Sequence, residues 1–258
     1  MEGMRFASLG SGSAGNATVV EAGETRLLLD CGFSVKETVQ RLARLDLQPE
    51  QLSGILVTHE HDDHARGVFK LAARYQIPVW LTHGTYSMCQ RYLPSQAVTI
   101  HIIDAHTAFA LQDIEVSPYP VPHDAREPSQ FVFGDGMRKL GVLTDVGCVT
   151  PHIISMLQGC DGLLLECNHD LEMLRTGPYA HSLKKRVGGW LGHLDNQTSA
   201  QLLGQLDNSK LKHLVAAHLS EKNNTPALAK QALSEVLQCA ADWVQIASQQ
   251  QGLDWRVL

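Results

Sequence analysis

The chain has 258 residues, of which 44% are hydrophobic, and a formal net charge of −6. This length and composition suffice for a substantial core, which we expect to form one hydrolase domain spanning residues 1–258. The acidic balance argues against a broad basic surface for nucleic acid, so a polyanion would have to be bound locally.

The sequence shows neither a secretory signal nor a membrane-spanning segment. Its first residues lack a basic region followed by a continuous apolar run, and no apolar stretch approaches the length that crosses a bilayer. We therefore expect a cytoplasmic protein with no membrane partner. Met4 offers a second initiation site beside Met1. The 6 cysteines are scattered without a C-x-x-C pair, so we expect reduced thiols.

Short β-rich runs alternate with stretches of helical periodicity along the whole chain. In the first part, strands are predicted at 4–9, 17–21, 26–30 and 54–58, with helices at 34–45 and 65–75. In the second part, strands are predicted at 78–81, 98–103, 114–120, 130–134, 139–144, 162–166, 213–217 and 254–258, with helices at 85–92, 152–157, 198–206 and 226–241. Two β-sheets with outer helices, in the order α/β/β/α, are the simplest layering.

A glycine- and serine-rich loop at 10–16 connects two predicted strands. Its hydroxyls and backbone N–H groups suit an anion cradle, although ordinary turn chemistry explains the same composition. The polar segments 166–170 and 218–226 add further donors. The candidate phosphate contacts are Ser11, Gly12, Ser13, Asn16, Asn168, His193, Ser220 and Asn223.

The segment 58–64, Thr-His-Glu-His-Asp-Asp-His, follows a predicted strand and leads into a predicted helix. Burying so many imidazoles and carboxylates unpaired would be costly, whereas divalent metals bind this mixture. His59 and His61 can converge on one ion, while Asp63 and His64 can turn to a second. The alternative is a solvated polar turn with fortuitous histidines.

Three later residues supply what a dinuclear site still lacks, because His123, Asp145 and His218 each follow an apolar strand. The motif H-x-H-x-D-H at 59–64, followed in order by these three residues, resembles the metallo-β-lactamase superfamily. The resemblance implies a four-layer α/β/β/α metallo-β-lactamase sandwich and a metal-dependent hydrolase.

The same resemblance implies a ligand set. The first metal would be held by His59, His61 and His123, the second by Asp63, His64 and His218, and Asp145 would bridge both. Asp30 matches an early family aspartate that supports the metal-bound histidines, although a strand-end turn residue is the alternative. The two cofactors would be divalent ions; histidine ligation suits zinc, and carboxylates with a nuclease role suit manganese.

The reaction follows from the charge of such a centre. Two divalent ions, two carboxylates and a bridging hydroxide leave about one net positive charge, which favours a phosphate substrate. The hydroxide would be the nucleophile, because metals lower the pKa of water to about 7, and Asp63 would orient it. His193 is our candidate proton donor to the leaving alkoxide, with a surface or helix-capping histidine as the alternative.

Flanking segments at 8–16, 166–170, 192–194 and 218–224 resemble a narrower group, the YycJ-type family, also called WalJ or VicX. That family is associated with 5′-to-3′ exonuclease activity on DNA, so the resemblance implies DNA 5′ ends as the partner. Asp195 departs from the family, which has serine there, and this leaves the contact of that loop open.

Other functions stay open. The same site could hydrolyse a small or cyclic phosphodiester. Hydrolysis of a thioester or lactone is a weaker alternative, because it gives no role to the hydrogen-bond donors that suit a phosphate. A non-catalytic regulatory protein would keep a structural metal centre. A nucleic acid could be contacted by the basic cluster Lys184, Lys185 and Arg186, although such clusters are more commonly part of a solvated surface. Trp190 could stack on a base, although isolated aromatics more often pack. Protein partners are not identifiable from the sequence.

Overall fold

A computed structural model of the protein describes residues 3–258, so the choice between Met1 and Met4 as the start involves a residue outside this range. Strands β1 to β14 are Arg5–Gly10, Ala17–Ala22, Thr25–Leu29, Gly54–Leu56, Val79–Thr82, Ile100–Ile103, Phe109–Leu111, Ile114–Pro120, Ser129–Gly134, Lys139–Leu143, Gly162–Glu166, His213–Ala217, Gln245–Ile246 and Leu253–Val257. They form two seven-stranded sheets, ordered β14-β1-β2-β3-β4-β5-β6 and β13-β12-β11-β10-β9-β8-β7.

Nine α-helices within residues 3–258, α1 to α9, connect the strands: Val35–Ala43, Asp62–Ala65, Val68–Tyr75, His83–Cys89, Pro151–Leu157, Leu171–Thr176, His181–Val187, Asn196–Leu203 and Pro226–Leu237. Short 3-10 helices cover Pro49–Gln51, Gln90–Tyr92 and Ala241–Trp243. Asp195 caps α8 by accepting hydrogen bonds from Gln197 N and Thr198 N, a function that serine also performs well. Within the described residues, no helix is long and apolar enough to span a bilayer.

Three hydrophobic clusters define the layers of the molecule. Phe6, Leu27 and Phe133 belong to the cluster between the two sheets. A second cluster packs α1 and α3 on the first sheet, and a third packs α5, α8 and α9 on the second. Along β3 the side chains alternate, with Leu27 facing the other sheet and Leu28 facing the helices. The predicted α/β/β/α sandwich is therefore confirmed.

The topology brings several strand ends to one edge of the sandwich. Strands β3 and β4 are parallel in the first sheet, and β10, β11 and β12 are parallel in the second. The segments that follow these strands contain Asp30, His59, Asp145 and His218. Open α/β sheets bind ligands outside the carboxyl ends of their strands, and this edge carries the candidate site.

Some predicted elements differ from the structure. The helix predicted at 65–75 is broken into α2 and α3 at Gly67, where a Cβ atom would lie 2.0 Å from Phe33 O. The short elements β7, β13, α6 and α7 were not predicted, because two to seven residues carry little periodic signal. All 6 cysteines are free thiols, as predicted.

Candidate metal centre

The first group of candidate ligands consists of His59, His61 and His123. His59 Nε2 lies 3.0 Å from His61 Nδ1, and His123 Nε2 lies 3.3 Å from that same atom. Two nitrogen atoms bound to one tetrahedral zinc would lie about 3.3 Å apart, given zinc–nitrogen distances of about 2.05 Å. The spacing of the three imidazoles therefore fits a single ion.

A second group adjoins the first and consists of Asp63, His64, Asp145 and His218, whose ligand atoms all lie within 4.8 Å of one another. Asp145 Oδ2 lies 3.1 Å from His64 Nε2, and Asp145 Oδ1 lies 3.3 Å from His218 Nε2. The rings of His59 and His64 are only 4.2 Å apart between centroids. The two groups thus form one continuous cluster that could hold two ions.

Protein contacts fix the orientation of the imidazoles. His59 Nδ1 lies 2.9 Å from Thr58 Oγ1, and His123 Nδ1 lies 3.1 Å from Gly192 O. His64 Nδ1 lies 2.8 Å from Asp30 Oδ2. In each ring the anchored nitrogen points away from the cluster, so the other nitrogen is free for a metal.

Asp30 also organises the first loop of the centre. Its carboxylate accepts hydrogen bonds from Thr58 N and Thr58 Oγ1, both at 2.8 Å. Asp30 therefore contacts His64 of the second ligand group directly, and it reaches His59 of the first group through Thr58 Oγ1.

Three residues of the centre have left-handed backbone conformations. The φ angles are 61° at Asp30, 51° at Asp145 and 55° at His218. Asp30 and His218 directly follow a strand, and Asp145 follows one after a single intervening residue. This conformation is uncommon for residues other than glycine, although Asp and His adopt it more readily than most. It costs about 1–3 kcal/mol per residue, so the fold tolerates local strain where these side chains turn into the site.

The charges of the centre favour cations. Burial lowers the pKa of His59 and of His123, which keeps both imidazoles neutral. Burial opposes ionisation of Asp145, but His218 and His64 outweigh it and hold the pKa of that carboxyl well below its usual range. Burial also opposes protonation of His64, yet the carboxylates around it, Asp145 first, raise its pKa well above the usual value. Neutral imidazoles and ionised carboxylates are the forms that bind metals, so a cation at the centre would replace the proton that these carboxylates favour on His64.

One atom of the centre has no conventional partner. Asp145 Oδ2 is buried, and although His64 Nε2 lies 3.1 Å away, it makes no contact of hydrogen-bond geometry with any residue in the range 3–258. An unpaired buried carboxylate oxygen is costly, and a metal would satisfy it. Together with the ligand spacing, this observation shows that the residues present fit divalent ions.

Glu166 joins the loops around Asp145 and His193, a role that was not predicted from the sequence. Its carboxylate accepts hydrogen bonds from Asp145 N and Val146 N, both at 3.1 Å, and from Leu194 N at 3.1 Å. It also lies 2.8 Å from His193 Nδ1. The sequence does contain one signal for this role: Glu166 ends an apolar, buried strand, and a buried carboxylate needs hydrogen-bond partners.

His193 lies beside the second ligand group. Burial lowers its pKa, but the charge of Glu166 and the hydrogen bond to it outweigh burial and raise the pKa of His193 to about 9. Its ring stacks on that of His218, with centroids 5.3 Å apart. The structure therefore places this candidate proton donor at the cluster.

The predicted phosphate contacts of the first loop divide into two kinds. Ser13 is exposed and lines the cavity over the metal centre. Asn16 is buried, and its Oδ1 atom accepts hydrogen bonds from Gly12 N at 2.9 Å and Ser11 Oγ at 3.1 Å. Ser11 Oγ accepts one from His218 N at 2.9 Å. Apart from Ser13, these residues brace the ligand loops.

The later predicted phosphate contacts are buried too. Asn168 Nδ2 donates to His218 O at 3.0 Å. Ser220 Oγ accepts from Asn223 N at 3.3 Å, and Asn223 is fully buried. These contacts hold the segment after His218 in place.

An open cavity of about 380 Å³ leads to the cluster. Asp63, Asp145 and His193 line it, and two arginines, Arg91 and Arg186, stand at its sides. The Arg186 side chain is 62% exposed, although its Nε atom lies 2.6 Å from Asp124 Oδ2. The cavity thus combines candidate metal ligands with two exposed arginines, each of which is paired with one carboxylate.

Fold and site together define the class of the protein. A sequence model described as the beta-lactamase superfamily domain matches residues 25–219, a span that includes all seven candidate ligands. The chain therefore belongs to the beta-lactamase superfamily. The crystal structure of the metallo-beta-lactamase fold protein YhfI from Bacillus subtilis superposes with a TM-score of 0.78 and 15% identity, covering 99% of each chain. This similarity confirms the predicted fold.

Two curated relatives are more specific. The chain is 37% identical over 239 residues to exodeoxyribonuclease YycJ of Bacillus anthracis, and this match covers 92% of the chain and 90% of the relative. It is 35% identical over 230 residues to exodeoxyribonuclease WalJ of Streptococcus pneumoniae, covering 88% of this chain and 86% of the relative. The predicted resemblance to the YycJ and WalJ group is thus confirmed.

Proposed function

We propose that the chain is a dinuclear metal-dependent phosphodiesterase that removes nucleotides from the 5′ ends of DNA. The main support is the pair of adjoining ligand groups beneath an open cavity flanked by Arg91 and Arg186. Relatives named exodeoxyribonucleases match about nine tenths of the chain. Because both sheets contribute ligands, we propose that residues 1–258 work as one hydrolase domain. The cytoplasmic location remains a prediction.

The proposed metals are two divalent ions, zinc or manganese, which the residues of the two groups would hold, with Asp145 as the ligand they would share. When bound, such ions generate a hydroxide nucleophile at neutral pH and stabilise the charge on the phosphoryl oxygens. Asp63 belongs to the second group and is 22% exposed toward the cavity. We assign to its carboxylate the orientation of the attacking oxygen through a hydrogen bond.

His193 supplies the proton that the leaving group needs. Its Nδ1 atom is held by Glu166, so its Nε2 atom is available to the substrate. As the bond between phosphorus and the departing O3′ breaks, Nε2 donates its proton to that oxygen. The released nucleotide leaves with a 3′ hydroxyl, and the remaining strand keeps a 5′ phosphate.

Glu166 is a positioning residue in this scheme, and its replacement by glutamine tests that role. The amide group of Glu166→Gln would face backbone N–H donors that now meet carboxylate oxygens, so the loops of Asp145 and His193 would shift. We expect kcat to fall about 10- to 100-fold. Steady-state kinetics with metal analysis checks this, and an unchanged kcat would show that Glu166 does not position the site.

Arg186 is our candidate contact for the phosphate backbone of DNA. Arg186→Ala is expected to raise KM for DNA with little change in kcat, and to reduce the slope of log KM against log salt by about 1. Arg175→Ala is the matched control, because Arg175 is exposed but lies outside the cavity. An unchanged salt dependence in Arg186→Ala would rule out this contact.

A direct comparison of substrates tests the proposed function. Metal-loaded protein is given 5′-phosphorylated duplex DNA or a small chromogenic phosphodiester. The proposal expects faster turnover of DNA, with mononucleotides as products. Turnover of the small substrate alone would indicate a small-molecule phosphodiesterase. Loss of stability on metal removal without any hydrolysis by the loaded protein would indicate a structural metal centre.

A further inference from the structure

A second cavity lies next to the metal centre. Its volume is about 290 Å³, and its lining includes Cys148, His169, Leu171, Trp190 and His193. His193 also lines the cavity over the metals, so the two cavities meet at the proposed proton donor. A substrate held at the metal centre could therefore extend into the second cavity.

Two large apolar side chains of this cavity are unusually exposed. Trp190 is 79% exposed and Leu171 is 56% exposed. Isolated exposed apolar residues are common, but two that line one concave site beside a catalytic centre indicate a ligand-binding surface. The alternative reading of Trp190, packing as isolated aromatics commonly do, does not hold for this exposed side chain.

The backbone around Trp190 is firmly held. Gly192 N donates to Gly189 O at 2.8 Å, and His193 N donates to Val187 O at 2.8 Å. A Cβ atom at Gly147 would lie 2.2 Å from Trp190 O, so a neighbouring loop packs tightly on this turn. The indole is thus presented by an ordered turn that also positions His193.

His169 provides a polar group in the same cavity. The residue is 1% exposed, and its Nδ1 atom has no hydrogen-bond partner among residues 3–258. Buried polar atoms are nearly always paired, so an unpaired one in a residue that lines a cavity points to a ligand with a polar group. A nucleobase offers an aromatic face and a polar edge, which match an indole and an imidazole.

We infer that this second cavity binds the nucleobase beside the scissile phosphodiester, with the base stacked on Trp190 and its edge toward His169. Stacking accepts every base because each has an aromatic face, so it suits a nuclease without sequence preference. It would also supply affinity that a chain of net charge −6 does not gain from a broad basic surface. This inference rests on the proposed action on DNA.

Equilibrium binding tests the inference independently of cleavage. Metal-loaded protein is titrated, by fluorescence anisotropy, into a labelled phosphorothioate oligonucleotide that resists hydrolysis, with intact bases or with abasic terminal nucleotides. We expect Trp190→Ala to weaken binding of intact DNA about tenfold, and the abasic DNA to bind the unaltered protein equally weakly. Trp190→Ala should not distinguish the two DNAs, and Trp190→Phe should retain most of the affinity.

Trp243→Ala is the matched control, because Trp243 is 37% exposed and lies outside both cavities, and we expect unchanged binding. Equal affinity of Trp190→Ala and the unaltered protein for intact DNA would overturn the inference, as would equal losses on intact and abasic DNA. Cleavage of ordinary DNA is measured separately. If binding depends on the base but no DNA is cleaved, the proposed exonuclease activity is contradicted while the inference of a base-binding site is supported.

Discussion

Asp63→Ala is expected to lower kcat for DNA hydrolysis by about 10³-fold or more while the fold is retained. Asp63 Oδ2 lies 3.4 Å from His218 Nε2 and 3.5 Å from His64 Nε2, so its loss removes a carboxylate from the second ligand group. The residue belongs to a loop and helix start outside the hydrophobic clusters. Kinetics, metal content and the melting temperature of the purified variant check the prediction.

Asp62→Ala is a control for this experiment. Asp62 is adjacent in sequence, but its side chain is 70% exposed and belongs to neither ligand group. We expect this variant to keep both metals and most of the activity. Full activity in Asp63→Ala would show that the second ligand group is not required for hydrolysis.

His193→Ala is expected to reduce kcat about 10²- to 10⁴-fold and to retain both metals. The imidazole is assigned as a proton donor to the leaving oxygen, so its removal slows bond cleavage without opening a metal site. Single-turnover rates on DNA and metal analysis of the same preparation measure the two effects separately. His181→Ala, which removes an exposed histidine outside the cavity, should match the unaltered protein.

The structure also defines what would contradict this role. His193 forms a group with Asp145, Glu166 and His218 whose atoms are close enough to hold an ion. If His193→Ala loses one metal, His193 is a ligand and the proton must come from another group. If the variant keeps full activity, His193 takes no part in the reaction.

The sequence was sufficient to predict which side chains gather at the centre. Histidines and aspartates such as His59 and Asp145 follow apolar strands, and parallel strands deliver their ends to a common edge. The fold could be predicted for the same reason, since long apolar strands covered on both faces alternate with amphipathic helices. Polar residues at such positions are poorly explained by packing alone.

The supporting contacts could not be predicted in this way. Glu166 lies 21 residues from Asp145 and 28 from Leu194 along the chain, so its role depends on the order of strands in the second sheet. Ser11 and Asn16 have donors and acceptors that suit a phosphate, but the sequence does not reveal that they bond to each other. The exposure of Trp190 likewise depends on how the turn at 188–192 packs.

The most direct test of the proposed activity is degradation of DNA labelled at one end, with and without a 5′ phosphate. The protein is depleted of metal and resupplied separately with zinc and manganese, and His64→Ala serves as the inactive control. We predict metal-dependent release of nucleotides from the 5′ end by the unaltered protein and none by the variant. Absence of cleavage with either metal, or equal cleavage by His64→Ala, would contradict a dinuclear exonuclease.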